Sequence, residues 1–272
     1  MQSVEVLKLC PYIHTLLRPP SLAVTDGLRI DYIYESDGVP LPALQHLEWW
    51  HYNKAERSGG INSLSAVLHG APNITYLFVG GLHSRGHFKP PRLQKETLPH
   101  LQTLRLNSIS NLFLRQIVSQ WSLPSLTYII LDSPLPSSHW RAVWNAFGHQ
   151  LKAIEFGKTF GFSVDDQLSY CLNGCPGLEE LNFYPCFTSP AEDVQPHTSL
   201  TTVRLHAEIM MPGHSAVWTL IDRHFEVLCG SNLPALRYII LYGDWESVLL
   251  HPQFAFIRAK LRDTDRVLEI SH

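Results

Sequence analysis

One short pattern of apolar and polar positions recurs about nine times along the chain. It runs aliphatic, two variable residues, aliphatic, one variable residue, aliphatic or aromatic. The clearest copies are Leu101-Gln102-Thr103-Leu104-Arg105-Leu106, Leu126-Thr127-Tyr128-Ile129-Ile130-Leu131 and Leu236-Arg237-Tyr238-Ile239-Ile240-Leu241. First positions fall at Val4, Leu44, Ile74, Leu101, Leu126, Leu151, Leu178, Leu200 and Leu236. A degenerate tenth copy starts at Asp265 and carries Leu268 and Ile270, and a weak one starts at Thr25 with Leu28 and Ile30. From Leu44 to Leu236 the steps are 30, 27, 25, 25, 27, 22 and 36 residues. Positions four and six are two apart, so in a strand they face the same side. That assigns Leu47 and Trp49, Leu77 and Val79, Leu104 and Leu106, Ile154 and Phe156, Leu181 and Phe183, and Val203 and Leu205 to a core. The first position enters that core from the preceding turn. Leu41-Pro42, Leu98-Pro99, Leu123-Pro124, Cys175-Pro176 and Leu233-Pro234 introduce several copies, and proline there stops a helix and starts an extended segment.

Between the copies the apolar spacing changes to three and four, the spacing of a helix face. Ser137 predicts a cap before Trp140, Val143, Trp144 and Phe147, with Gly148 just after. Ser163 and Asp166 are spaced as a capping box before Leu168, Cys171 and Leu172, closed by Gly174. Phe113, Leu114, Ile117, Val118 and Trp121 keep this spacing, as do Val217, Leu220, Ile221 and Leu228 before Gly230. Three stretches break the period and read as surface loops: His83 to Thr97, Phe187 to Ser199, and Ala207 to Gly213. Strand and helix in alternation, at steps that fit repeats of roughly 20–29 residues with a few insertions, predict an α/β leucine-rich-repeat solenoid. This would be a horseshoe with a parallel concave sheet and outer helices, one domain over residues 1–272 with nine to ten irregular repeats.

In such a fold positions three, five and seven point away from the core and line the concave face. Those positions give His46, Glu48 and Trp50; Tyr76 and Phe78; Thr103, Arg105 and Asn107; Tyr128, Ile130 and Asp132; and Glu155. They continue with Glu180, Asn182 and Tyr184; Thr202, Arg204 and His206; and Tyr238, Ile240 and Tyr242. Aromatic residues with scattered charges and few lysines are what protein interfaces enrich. Aromatics also stabilise neighbouring strands through cross-strand pairs, so a purely structural role competes with the binding one.

The remaining chemistry is sparse. The chain is 45% hydrophobic and 17% charged with a net charge of -3, which argues against a broad nucleic-acid surface. No apolar run is long enough to span a bilayer, and Glu5 and Lys8 interrupt the N-terminal apolar stretch, so neither a membrane partner nor a secretory signal is expected. Five cysteines form no even disulfide framework, and the expected setting is intracellular, cytoplasmic or nuclear. His83 and His87 flank Gly86, and Cys171 and Cys175 have no second pair, so no four-ligand metal site assembles and no cofactor is implied. Asn73-Ile74-Thr75 matches a glycosylation acceptor, but Ile74 opens a repeat copy. Arg85, Lys89, Arg92 and Lys95 make a basic loop, read as solvated in preference to a phosphate or acidic-partner site. Asp165-Asp166 reads as a helix N-terminal pair, and no nucleophile elbow, P-loop, dinucleotide fingerprint or H-E-x-x-H motif is present, so the chain is not expected to be an enzyme.

One block is more specific. It comprises Leu44-Gln45-His46-Leu47-Glu48-Trp49-Trp50-His51-Tyr52-Asn53, Arg57-Ser58-Gly59-Gly60-Ile61-Asn62-Ser63-Leu64 and Ala71-Pro72-Asn73-Ile74-Thr75-Tyr76-Leu77. This block resembles the repeat region of the F-box/leucine-rich-repeat family of mushroom-forming fungi. The resemblance implies a substrate-binding region of a ubiquitin-ligase receptor, in which an F-box docks on the ligase adaptor and the repeats select a protein. No L-P-x-E-type helical module precedes the first copy here. The chain alone is therefore expected not to bind the adaptor, which would be a partner only through an F-box outside this chain. A free-standing repeat scaffold without a ligase role is the alternative reading.

Overall fold

The computed structural model describes residues 15–18, 41–50, 60–80, 93–133, 137–157, 166–207 and 215–271. The fold is α/β with a large parallel sheet. The chain divides into two compact units, with the division between Ile129 and Ile130. The Val4 and Thr25 copies, His83, His87 and most of the first and third interrupting stretches lie outside the described residues.

In the first unit the strands β1 (Thr15–Arg18), β2 (His46–Trp50), β3 (Tyr76–Gly80) and β5 (Thr103–Asn107) pair in parallel. Leu16, Leu47, Leu77 and Leu104 are level with one another, so the fourth position of the pattern holds one register across three of the anticipated copies. Besides β3, β2 pairs with Thr15–Arg18, a segment not anticipated as a strand. A short two-stranded pair, β4 (Glu96–Thr97) with β6 (Trp121–Ser122), lies beside them in sequence. The helices are α1 (Gly60–Gly70) and α2 (Asn111–Gln120). Ser110 caps α2, its hydroxyl accepting from the Phe113 amide at 3.3 Å. The strand β7 (Tyr128–Leu131) contains the division between the units.

The second unit carries β8 (Ala153–Phe156), β9 (Glu180–Phe183), β10 (Thr202–His206), β11 (Tyr238–Tyr242) and β12 (Val267–Ser271), all parallel. Ile154, Leu181, Val203, Ile239 and Leu268 are level. The last copy is weaker in packing as well as in sequence, since Leu268 is half-buried and Ile270 is exposed at the sheet edge. Helices α3 (Ser137–Phe147), α4 (Gln167–Gly174), α5 (Ser215–Leu228), α6 (Glu246–Leu249) and α7 (Phe254–Asp263) separate these strands. Asp166 caps α4, its carboxylate accepting from the Ser169 amide at 2.9 Å; Ser163 is outside the described residues.

The repeat has a backbone signature that apolar spacing does not reveal. The amide of the first position closes a turn onto the carbonyl three residues back: Leu44 to Leu41, Ile74 to Ala71, Leu101 to Leu98, Leu126 to Leu123, Leu178 to Cys175 and Leu236 to Leu233. Proline therefore sits second in a tight turn, where its fixed φ fits, and the strand starts only after that turn. In the Leu200 copy the acceptor is a side chain instead, Nδ1 of His197 at 3.2 Å. Each turn is then stitched to the next copy, because the carbonyl at position two accepts two successive amides; Gln45 takes those of Thr75 and Tyr76, and Glu179 those of Thr201 and Thr202.

First, fourth and sixth positions from Leu44 to Leu241 are buried, as expected. The stretch from Phe187 to Ser199 is irregular, as anticipated, but it is no peripheral loop. Thr188, Ala191, Val194 and His197 are buried. Its backbone is satisfied by neighbouring side chains. Asp166 and Ser169 accept from Glu192, Asn173 binds Asp193 and Gln195, and Asn232 binds Val194. Buried irregular backbone needs such partners, and polar side chains supply what a ladder would have supplied.

Glycines set how closely α3 and α4 approach. A Cβ on Gly148 would run into the carbonyl oxygen of Gly174, and one on Gly174 would lie 2.6 Å from Cβ of Trp144. Gly148→Ala is expected to cost about 1–3 kcal/mol, because backbone must shift to admit the methyl. Gly177→Ala meets nothing closer than 3.7 Å and should be neutral or stabilising by up to about 1 kcal/mol. Urea unfolding of the two variants checks the contrast, and equal midpoints would refute the close packing.

Candidate functional site

The anticipated binding positions lie on the sheet side opposite the core residues in each unit. In the first unit His46 and Tyr76, level on β2 and β3, stack at 4.2 Å with their rings 5° from parallel. His46 also contacts Glu48 at 3.2 Å, two residues along the same face. The Arg105 guanidinium lies 5.8 Å from the Phe78 ring centre, and Phe78 is buried although it sits at an outward position. Thr103, Asn107 and Tyr128 are half-buried, and Trp50 ends β2.

The second unit holds the denser cluster. Arg204 on β10 makes a fork to Glu180 on β9, Nε to Oε1 at 2.8 Å and Nη2 to Oε2 at 3.0 Å. Its Nη1 donates to the Tyr242 hydroxyl at 2.6 Å, and its guanidinium lies 5.6 Å from the Tyr242 ring centre. Asn182 donates from Nδ2 to Glu180 Oε1 at 3.0 Å. Burial alone would raise the Glu180 carboxyl, but the hydrogen bonds from Arg204 and Asn182 and the nearby guanidinium charge outweigh it and hold it below the usual carboxylate range. Arg204 is in turn held more firmly protonated, chiefly by its hydrogen bond to Glu180.

Above this ion pair runs a row of rings. Tyr184 stacks on His206 at 5.0 Å, and His206 on Tyr242 at 5.3 Å. Burial lowers the His206 pKa, Glu155 opposes that, and the Arg204 charge adds to it; the net direction is down, so the imidazole is neutral at neutral pH. Asp132 and Asn182 are buried, at 3% and 4% exposure, although both sit at outward positions. For Asp132 the reason is Gly157: a Cβ there would run into the Asp132 carboxylate, which occupies the space a side chain would fill. Asn182 Oδ1 and His206 Nε2 are both buried without a hydrogen-bond partner. Glu155 and Ile240 are level with Asn182 and Arg204, Tyr238 is 45% exposed, and Thr202 and Tyr242 are half-buried.

The spacing rule therefore puts the anticipated residues on one side of each strand, but it missed how far they engage one another. Position in the pattern gives the side; the Glu180–Arg204 fork and the ring row depend on register between strands more than 20 residues apart. Among the described residues no group of three or more His, Cys, Asp or Glu side chains is placed to hold a metal ion, and no helix is long and apolar enough to cross a membrane. Cys171 and Cys175 are both buried. Comparison with known proteins returned no matching family model, no similar curated protein and no similar solved structure.

Proposed function

We propose that this chain is a leucine-rich-repeat solenoid that recognises a protein partner on the outward face of its sheet, as the substrate-binding region of an F-box-type ubiquitin-ligase receptor. The observation that carries the recognition reading is the outward row on β8 to β11. Three stacked rings, a forked ion pair and two buried polar atoms without a hydrogen-bond partner, Asn182 Oδ1 and His206 Nε2, lie on one side of strands whose other side is all aliphatic and aromatic core. Large rigid rings and arginine are the side chains that dominate interface energetics, and they cost little conformational entropy when fixed in advance. The ligase assignment rests on the resemblance carried by the Leu44–Leu77 block.

A photo-crosslinking amino acid tests the face. Placed at Tyr238 on β11, it should capture a partner in cells; placed at Tyr170 on α4, which is 40% exposed, it should not. Capture at Tyr170 alone would move recognition to the helices. If the partner captured at Tyr238 accumulates when the chain is deleted, the ligase reading holds; unchanged turnover leaves the scaffold alternative.

A further inference from the structure

We infer that the open edge of the second unit's sheet, at β12, takes an extended segment of a protein partner as one more antiparallel strand, with a lysine or arginine of that segment opposite Glu269. This goes beyond recognition on the outward face and does not depend on it. The backbone comes first. The Val267 amide donates to the Arg237 carbonyl at 2.8 Å, and Val267 is level with Tyr238. In a parallel ladder such a residue turns both its amide and its carbonyl toward the neighbouring strand, and so do the residues two and four further on. Val267, Glu269 and Ser271 therefore bond to β11, and Leu268 and Ile270 point their backbone groups away from it. Among the described residues no strand pairs on that far side.

The side chains leave this edge open to pairing. Native sheet edges are guarded by lysine, proline, a bulge or a covering element. β12 carries no lysine or proline, and its five residues stay level with β11 without a bulge. Val267 is 48% exposed and Ile270 is 51% exposed. They lie on opposite sides of the strand, so apolar surface flanks the free backbone groups on both faces. An added strand covers that surface and pairs those groups, with main-chain hydrogen bonds giving affinity and alternate side chains giving selectivity.

The one charge within β12 selects the occupant. Glu269 is exposed, and among the described residues it has no hydrogen-bond or ion-pair partner. A second copy of the chain fits poorly. The two-fold pairing that engages both free residues of each copy sets Leu268 against Ile270, and so sets Glu269 against its own counterpart, where like charges are unfavourable. A basic side chain at that position reverses the sign. Glu269 falls between two hydrogen-bonded positions, where side chains of antiparallel strands approach most closely. The segment therefore reads apolar, basic, apolar: its flanking residues lie beside Leu268 and Ile270 on the core side, and its base meets Glu269 on the outward side.

The test uses the whole chain and a fluorescein-labelled nonapeptide, read by anisotropy. The peptide carries a central lysine, valine at even positions and threonine at the remaining odd ones. It should bind saturably. N-methylation of the two valines beside the lysine removes the amides that face β12 and should weaken binding about ten-fold or more. N-methylation of the two threonines next along, whose amides face away, should change it by less than about two-fold. Glu269→Lys should weaken the lysine peptide about five-fold, and should bind a glutamate counterpart as tightly as the parent binds the lysine peptide. Glu246→Lys, the same charge change on α6, should alter lysine-peptide binding by less than about two-fold. Ile270→Pro removes an amide hydrogen that β11 does not use, so the ladder survives and the added strand does not. It should abolish binding while melting near the parent, and thermal melts confirm that the other variants are folded. No saturable binding, equal effects of the two methylations, or equal losses from Glu269→Lys and Glu246→Lys would overturn the inference. So would a chain that sediments as a dimer and becomes a monomer on Ile270→Pro, because the occupant of the edge would then be a second copy. Tyr238 crosslinks that survive Ile270→Pro belong to the outward face, so this inference and the recognition reading fail separately.

Discussion

Leu104→Ala is expected to destabilise the chain by about 2–5 kcal/mol, whereas Tyr238→Ser should stay within about 1 kcal/mol of the parent. Leu104 is the fourth position of its copy, 1% exposed, and level with Leu77 on β3. Truncation there loses the transfer energy of a buried side chain and leaves a cavity that stacked neighbours cannot close. Tyr238 is the third position of an equivalent copy, yet it is 45% exposed. Chemical denaturation of the two variants measures the difference. A Tyr238→Ser chain as unstable as Leu104→Ala would mean that the pattern is aligned one residue out, since a one-residue slip exchanges the faces of a strand.

The second large effect is a pH dependence centred on His224. This α5 residue is 2% exposed, and its Nε2–H donates to the carbonyls of Thr188 at 2.9 Å and Pro185 at 3.1 Å. Burial pushes its pKa down to about 4, against the opposing pull of those two hydrogen bonds. The folded state thus favours the neutral ring, and the unfolded chain, with an ordinary histidine pKa near 6.5, takes up the proton first. His224 therefore contributes no pH-dependent penalty above about pH 6.5, and stability falls as pH drops from there toward 4. The accumulated loss is about 3 kcal/mol, given about 1.4 kcal/mol per pKa unit. Unfolding free energies for the parent and His224→Gln, measured from pH 7 to pH 4, isolate this group. The parent should lose about 3 kcal/mol more than the variant. Parallel curves would show that His224 is not held neutral where the chain returns from β9.

Much of the fold could be read from spacing because its information is local. Leu101, Leu104 and Leu106 announce a strand and its buried side within six residues, and the stripe from Trp140 to Phe147 announces α3. Thr15–Arg18 was missed because its sixth-position equivalent is Arg18, where other copies place an apolar residue. The helix α7 was missed for a related reason: Phe254, Ile257 and Leu261 form a thin stripe among Arg258, Lys260 and Arg262, with no capping side chain. The stretch from Phe187 to Ser199 looked like a solvated loop because its burial depends on Asp166, Ser169, Asn173 and Asn232, which are distant in sequence. The site was legible as a side and not as chemistry. Position five marks Asn182 as outward, but its burial, its fixed amide and its orphaned oxygen follow from Glu180 and the neighbouring strands.

The central claim is that alternate residues of one strand divide the labour, one set holding the fold and the other meeting a partner. A serine scan of β11, read twice, tests this most directly: unfolding free energy for each variant, and recovery of the proteins that the parent chain captures. Ile239→Ser and Leu241→Ser should unfold easily, because both positions are fully buried. Tyr238→Ser and Tyr242→Ser should remain folded at physiological temperature and lose most of the captured partner. Folded tyrosine variants with undiminished capture, or losses of stability that do not alternate along the strand, would contradict the account.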